Sequence, residues 1–147
     1  MEQASQRQVH TLLAKYAESH LNPTNELIHF ICVPAIVLSV LGLVWVIHPL
    51  LALGAVLISL IYYTTLSVPL AFGMVLMSCL MLWLLSILPQ GYVLQISAAI
   101  FVVAWIGQFI GHKIEGKKPS FFTDVRFLLI GPLFVLGFLY RRLHIDY

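Results

Sequence analysis

The chain has 147 residues, of which 61% are hydrophobic and 10% are charged, whereas a soluble domain carries about 25% charged residues. No Asp, Glu, Lys or Arg occurs from Leu27 to His112, a run of 86 residues that excludes an ordinary soluble fold. The few charged residues lie at the two ends and in one loop, with a net charge of +2, which excludes a nucleic-acid-binding surface. We therefore expect one all-α integral membrane domain over residues 1–147.

Residues 4–20 precede the apolar region and have the spacing of an amphipathic helix. The face that we expect to be buried contains Val9, Leu12, Leu13, Tyr16 and His20. We expect this helix to lie at the membrane interface or to pack under the membrane helices. The polar start of the sequence also predicts that no cleavable signal peptide is present.

Four apolar segments follow, and each is close to the roughly 20 residues that a membrane-spanning helix needs. The predicted spans are residues 27–47, 50–66, 70–88 and 93–111. A last apolar segment, Phe127–Tyr140, is short and is interrupted by glycine and proline, so we expect a re-entrant segment or a fifth span. The predicted fold is thus a four-helix transmembrane bundle with an N-terminal amphipathic helix and this C-terminal membrane segment.

Positive charge predicts the orientation, because cytoplasmic loops of membrane proteins are enriched in Lys and Arg. Arg7 and Lys15 precede the first span. The positive charges that follow the fourth span are Lys113, Lys117, Lys118 and Arg126. An even number of spans puts both groups on one side, so we expect both termini to be cytoplasmic. The short chain without a retrieval signal favours a bacterial inner membrane over the endoplasmic reticulum.

Three histidines fall at the same cytoplasmic boundary in this topology. His20 ends the amphipathic helix, His29 lies in the first turns of the first span, and His112 ends the fourth span. Polar groups at this depth are costly and are usually functional. Three neutral imidazoles suit Fe, Zn or Cu. The sequence therefore predicts a metal site at this boundary, with His20, His29 and His112 as ligands.

Other polar residues share helix faces with these histidines. Asn25 is four residues before His29, and Gln108 and Glu115 lie on the same helical face as His112. Metal-bound histidines usually donate their second N–H to a carboxylate or carbonyl. We therefore predict that Asn25, Gln108 and Glu115 orient the ligands, with Glu115 as a direct ligand as the alternative. Lys117 and Lys118 are either an orientation signal that contacts lipid head groups or the residues that hold a substrate carboxylate, and Tyr16 is a further candidate for substrate contact.

The same residues leave other functions open. A bis-His haem site inside a four-helix bundle would use two of the histidines. A lipid-binding or structural membrane protein would use none of them and would hold no metal.

Two motifs carry a resemblance to a known family. The first, His-x-Asn-Pro-x-Asn-x3-His-x4-Pro, runs from His20 to Pro34. The second, Trp-x2-Gln-Phe-x-Gly-His, runs from Trp105 to His112 and is followed by Glu115. Both resemble the membrane-bound 2-hydroxy fatty acid dioxygenase family, whose eukaryotic members act in phytosphingosine breakdown in the endoplasmic reticulum. The resemblance extends from Tyr16 to Leu136.

The resemblance implies alpha-oxidation that depends on Fe2+ and O2. A 2-hydroxy fatty acid would lose its carboxyl carbon and leave a fatty acid one carbon shorter. Its hydroxyl and carboxylate oxygens would reach the iron, and its acyl tail would lie between the apolar spans. The expected partners are a 2-hydroxy fatty acid, O2 and membrane lipid, with no nucleic acid.

Overall fold

The computed structural model describes residues 2–122 and 124–147, and the side chains of residues 2–7 and 121 lie outside this description. Every regular element in these ranges is helical. The helices are α1 (Glu2–Ala17), α2 (Pro23–Ile47), α3 (Pro49–Leu66), α4 (Val68–Ile87), α5 (Val93–Glu115) and α6 (Phe127–Arg142). Short 3-10 turns at Gln90–Tyr92 and Ser120–Phe122 precede α5 and α6.

Four of these helices, α2 to α5, are long and apolar enough to cross a membrane. The predicted all-α architecture is therefore confirmed, with four helices that are candidates to span a membrane. The helix α2 begins at Pro23, four residues before the predicted apolar span, because the Asn22 side chain caps it by accepting a hydrogen bond from Thr24 N at 2.9 Å. It continues through Pro34 to Ile47 without a break.

Single residues join the first three spans. His48 and Ser67 have extended backbones between consecutive helices, and their side chains accept hydrogen bonds from Leu50 N and Leu70 N. The helix after each cap has one proline near its start, at the first position of α3 (Pro49) and the second position of α4 (Pro69). The missing N–H costs no helical hydrogen bond at these positions. These links are too short for neighbouring helices to be anything but antiparallel.

The helix α1 ends at Ala17, so the predicted helix over residues 4–20 is too long at its C-terminal end. The chain has to turn before Asn22, whose extended backbone (φ −79°, ψ 124°) is typical of a residue before proline. His20 therefore lies in the turn after α1. The predicted buried face includes Val9, Leu13 and Tyr16, which are all buried. The side chain of Arg7, one of the charges that predict the orientation, lies outside the described side chains.

The C-terminal segment is one continuous helix, since α6 runs through Pro132 to Arg142. It is not among the four helices that are long enough to cross a membrane. Its buried side chains pack with α1 and with the adjoining ends of α3 and α4 in one hydrophobic cluster. Two tyrosines add hydrogen bonds, from Tyr63 OH to Leu129 O at 3.0 Å and from Tyr140 OH to Pro69 O at 2.9 Å. Together α1 and α6 cover the end of the bundle where α2 begins.

The closest helix pair is α2 with α5, which run antiparallel. Asn25 lies beside Gly111 at one end of this pair, and Gly42 lies beside Ser97 at the other. A methyl group at Gly42 would stand 3.0 Å from Ser97 Cβ and 3.2 Å from Leu85 Cδ2. Glycine at this position therefore sets the distance between the two helices.

We expect Gly42→Ala to lower the free energy of unfolding by about 1–3 kcal/mol, because the added methyl forces the two helices apart. Thermal unfolding in detergent measures this change. Gly54→Ala is the matched control, since a Cβ at Gly54 meets nothing within 4 Å and alanine is favoured over glycine in a helix. A Gly42→Ala protein as stable as the Gly54→Ala protein would contradict this account of the packing.

Candidate metal centre

The structure brings the three predicted histidines together. His20 comes from the turn after α1, His29 from the second turn of α2 and His112 from the last turn of α5. All three are at most 5% exposed, and their candidate ligand nitrogens lie within 4.8 Å of one another. No other group of three His, Cys, Asp or Glu side chains in the described part of the chain comes together in this way. These residues are called the histidine triad below.

Backbone carbonyls fix the tautomer of two of the rings. His20 Nδ1 donates to Tyr16 O at 2.7 Å, and His29 Nδ1 donates to Asn25 O at 2.9 Å. A carbonyl oxygen only accepts, so each Nδ1 carries the proton and each Nε2 keeps a lone pair. This is the arrangement in which protein imidazoles bind metal ions.

The remaining ring nitrogens fit a shared cation. The Nε2 atoms of His29 and His112 face each other at 3.1 Å. Two nitrogens about 2.1 Å from one ion and at right angles to each other would be about 3 Å apart. His20 Nε2 and His112 Nδ1 are buried without a hydrogen-bond partner among the described residues. The triad thus offers three neutral imidazoles, and the buried lone pair of His20 Nε2 has no hydrogen-bond donor among the described residues. Such a set of ligands suits a divalent transition-metal ion.

The surroundings keep His20 neutral. Burial lowers the pKa of His20 below its usual value, and this effect exceeds the opposing influence of the Tyr16 carbonyl and the Glu115 carboxylate. The Tyr16 ring stacks on the His20 ring with centroids 4.2 Å apart and planes 13° apart. Burial also raises the pKa of the Tyr16 hydroxyl, so the phenol stays protonated. Neutral imidazole is the form that binds a metal ion.

Glu115 holds the loop that carries His20 and leads into α2. Its carboxylate accepts hydrogen bonds from Leu21 N at 3.0 Å, Asn22 N at 2.9 Å and Asn25 Nδ2 at 3.0 Å. Asn25 Nδ2 also donates to Ser19 O at 3.0 Å. A negative charge is disfavoured at the C-terminus of α5 but favoured at the N-terminus of α2, which it faces. Glu115 thus lies outside the triad, which supports an orienting role over direct ligation.

The other predicted site residues fall into two groups. Gln108 is buried one turn before His112 and interacts with the His29 ring. Gln108 and Tyr16 both line a cavity of about 60 Å³ beside the triad. Lys117 and Lys118 are exposed and do not line this cavity, and Lys117 Nζ donates to Glu18 O. The substrate roles of both lysines stay predictions.

One wall of this cavity comes from α6, a predicted segment whose place beside the triad the sequence does not indicate. Phe127, Leu128 and Gly131 of α6 line it. A Cβ at Gly131 would stand 3.1 Å from the Tyr16 hydroxyl, so glycine allows α6 to approach this ring. The Gly131-Pro132 pair is therefore a packing feature, whereas its sequence pattern suggests a break in the segment.

We expect Glu115→Gln to weaken metal binding by about 10- to 100-fold, as changes to groups that orient metal ligands do. The amide cannot accept all three hydrogen bonds, so the loop before α2 loosens. An anaerobic titration with Co2+, followed by visible absorption, measures the affinity. Glu18→Gln removes an equal charge from an exposed side chain nearby and is the control. Equal affinities in the Glu115→Gln and Glu18→Gln proteins would contradict the orienting role.

No curated protein and no solved structure significantly matches this chain. The family model described as 2-hydroxy-palmitic acid dioxygenase Mpo1-like matches residues 6–143, which include both histidine motifs and all three histidines of the triad. The resemblance expected from these motifs is thereby confirmed. The chain belongs to the 2-hydroxy-palmitic acid dioxygenase Mpo1-like family.

Proposed function

We propose that this protein is an Fe2+-dependent dioxygenase that converts 2-hydroxy fatty acids to fatty acids one carbon shorter. The observation that carries the proposal is the buried histidine triad, whose candidate ligand nitrogens lie within 4.8 Å of one another and in which His20 and His29 each keep a lone pair on Nε2. The family description names a 2-hydroxy-palmitic acid dioxygenase, which supports the same chemistry.

The triad suits Fe2+ because three neutral imidazoles leave coordination positions for other ligands, as in iron sites that react with O2. When bound by His20, His29 and His112, the ion would supply the redox and Lewis-acid chemistry of the reaction. The adjoining cavity of about 60 Å³ has the volume of a few water molecules. It therefore favours an ion with a small polar head group over a porphyrin, which supports a mononuclear site over the bis-His haem alternative.

The chain's own residues would position and shield the reacting groups. Asn25 and Tyr16 hold the rings of His29 and His20 through their backbone carbonyls. Gln108 would fix the orientation of His29 and contact the head group from the cavity wall. The stacked Tyr16 ring covers His20 and excludes water from that side. Lys117 and Lys118 would attract the substrate carboxylate from the cytoplasmic surface.

The proposed setting is the cytoplasmic face of a membrane, most simply a bacterial inner membrane, with both termini cytoplasmic. The 16 residues of α6 extend about 24 Å at 1.5 Å per residue, less than the roughly 30 Å of hydrocarbon. We therefore favour a re-entrant α6 over a fifth span, and α1 as an amphipathic helix at the interface. The substrate would be a 2-hydroxy fatty acid dissolved in membrane lipid, with O2 as co-substrate.

We expect purified protein to contain about one iron per chain and His112→Ala to lose it, because the triad keeps only two imidazoles. Mass spectrometry of the metal content measures this. His48→Asn is the control: His48 caps α3 at the other end of the bundle, and asparagine preserves an N-cap. Wild type should also take up O2 with 2-hydroxypalmitic acid and release pentadecanoic acid. Wild type that binds no iron after anaerobic loading would refute the proposal.

A further inference from the structure

A second, larger cavity of about 410 Å³ lies inside the bundle and is lined by residues of all five helices from α2 to α6. Its volume falls within the roughly 300–1,000 Å³ of small-molecule sites. Its wall is almost entirely apolar. Two of its few polar groups are already satisfied, since Ser59 Oγ donates to Ala55 O at 2.9 Å and Tyr63 OH donates to Leu129 O at 3.0 Å. The cavity therefore suits an apolar ligand.

This cavity adjoins the small cavity at the triad. Four residues line both cavities, namely Ile36, Val37, Trp105 and Leu128. A molecule with its polar head beside His29 and His112 would extend past these four residues into the apolar space. The two cavities thus have the shape and polarity of one amphipathic ligand.

We propose that the larger cavity is the acyl-chain channel of the enzyme, and that Leu41, Val56, Ser78 and Phe101 close its far end and limit the chain length. The inference rests on the proposed function, which places the head group at the triad. It adds the path of the tail and the residues that determine specificity.

The length of the channel sets the longest acyl chain that fits. From His29 to Leu41 the chain advances twelve residues along α2, or about 18 Å at 1.5 Å per residue. An extended alkyl chain advances about 1.25 Å per carbon, given a C–C bond of about 1.5 Å. A tail that runs from beside His29 to beside Leu41 would therefore have about 14 carbons beyond the carboxyl and hydroxyl-bearing carbons, which corresponds to an acid of about 16 carbons.

The tail enters from the side. Val40 on α2 and both Leu128 and Leu129 on α6 line the cavity and are at least 36% exposed, so we place the opening of the channel between these two helices. These surfaces face lipid when α2 spans a membrane. A fatty acid can therefore slide sideways from the bilayer into the channel without passing through water.

Chain selection in this channel works by exclusion. A tail in lipid is already in an apolar environment, so it gains little hydrophobic free energy on entering the cavity. Chains shorter than the limit should bind with similar affinities. A longer chain must displace residues of the far end, where Leu41 and Val56 are buried in a packed cluster, and should bind much more weakly.

The test measures binding of 2-hydroxy acids, from 2-hydroxydecanoic to 2-hydroxyicosanoic acid, to the anaerobic iron-loaded protein in nanodiscs. Without O2 there is no turnover, so binding and reaction are separated. The wild-type protein should bind the acids up to the length of 2-hydroxypalmitic acid with similar affinities, and its affinity for longer acids should be at least tenfold lower. In Val56→Phe, a ring that fills roughly 4 Å of channel removes room for about three carbons. We therefore expect the affinity of this variant for 2-hydroxypalmitic acid to fall at least tenfold, and its affinity for 2-hydroxydodecanoic acid to stay at the wild-type value.

Leu57→Phe is the matched control, because Leu57 is the next residue of α3 and is 52% exposed on the lipid-facing side. It should keep the wild-type chain preference. Retained binding of the short acid shows that Val56→Phe is folded. If that variant does not fold, Leu41→Ala tests the same point in the opposite direction, since a shorter side chain at the far end should admit 2-hydroxystearic acid.

The outcomes separate the channel from the proposed function. An unchanged chain preference in Val56→Phe or Leu41→Ala, or an equal shift in Leu57→Phe, would overturn the channel even if the enzyme forms product. A length limit that moves with these variants would support the channel even if no product appears when O2 is admitted. In that case the protein would be a fatty-acid-binding protein, and the dioxygenase proposal would fail.

Discussion

The hydrogen bonds to Glu115 are the constraint on which the site depends. They join the end of α5 to Leu21, Asn22 and Asn25 and so fix the only non-helical segment that carries a triad histidine. Two helix ends meet here, and the carboxylate puts negative charge where the N–H groups of α2 begin. His112 and His29 sit one turn further inside from this contact, on α5 and α2, so the position of all three rings follows from it.

Burying three imidazoles at this point requires partners for their ring nitrogens. The end of α1 at Ala17 supplies one, because the Tyr16 carbonyl no longer bonds the N–H of residue 20 and accepts from the His20 ring. The carbonyl of Asn25 supplies another for His29. Of the nitrogens left over, His20 Nε2 and His112 Nδ1 have no partner among the described residues, and a bound cation would supply one for the lone pair of His20 Nε2. The same helix termination that shortens α1 thus leaves the Nε2 lone pair of His20 free, as a metal ligand requires.

The sequence is sufficient to predict the topology of the site, but not the hydrogen bonds of Glu115 that hold it together. Charge and hydropathy place His20, His29 and His112 at one boundary, because an even number of spans with tight turns returns the chain to the same side. The bonds of Glu115 to Leu21 and Asn22 cross more than 90 residues, and such contacts leave no local pattern. The end of α1 is also set by the turn into Pro23 and not by its own residues, which continue the helical spacing to His20.

The sequence fails to predict the packing of α6 beside the site for a different reason. Glycine and proline within an apolar segment have the pattern of a break, but Pro132 is tolerated inside this helix and Gly131 brings it against Tyr16. Only the packing partner distinguishes the two cases. Once α6 is in place it walls both cavities, with Leu128 common to the two. Because lipid gives a tail no hydrophobic reason to leave the bilayer, a rigid wall of this kind is what would allow the proposed enzyme to select its substrate by length.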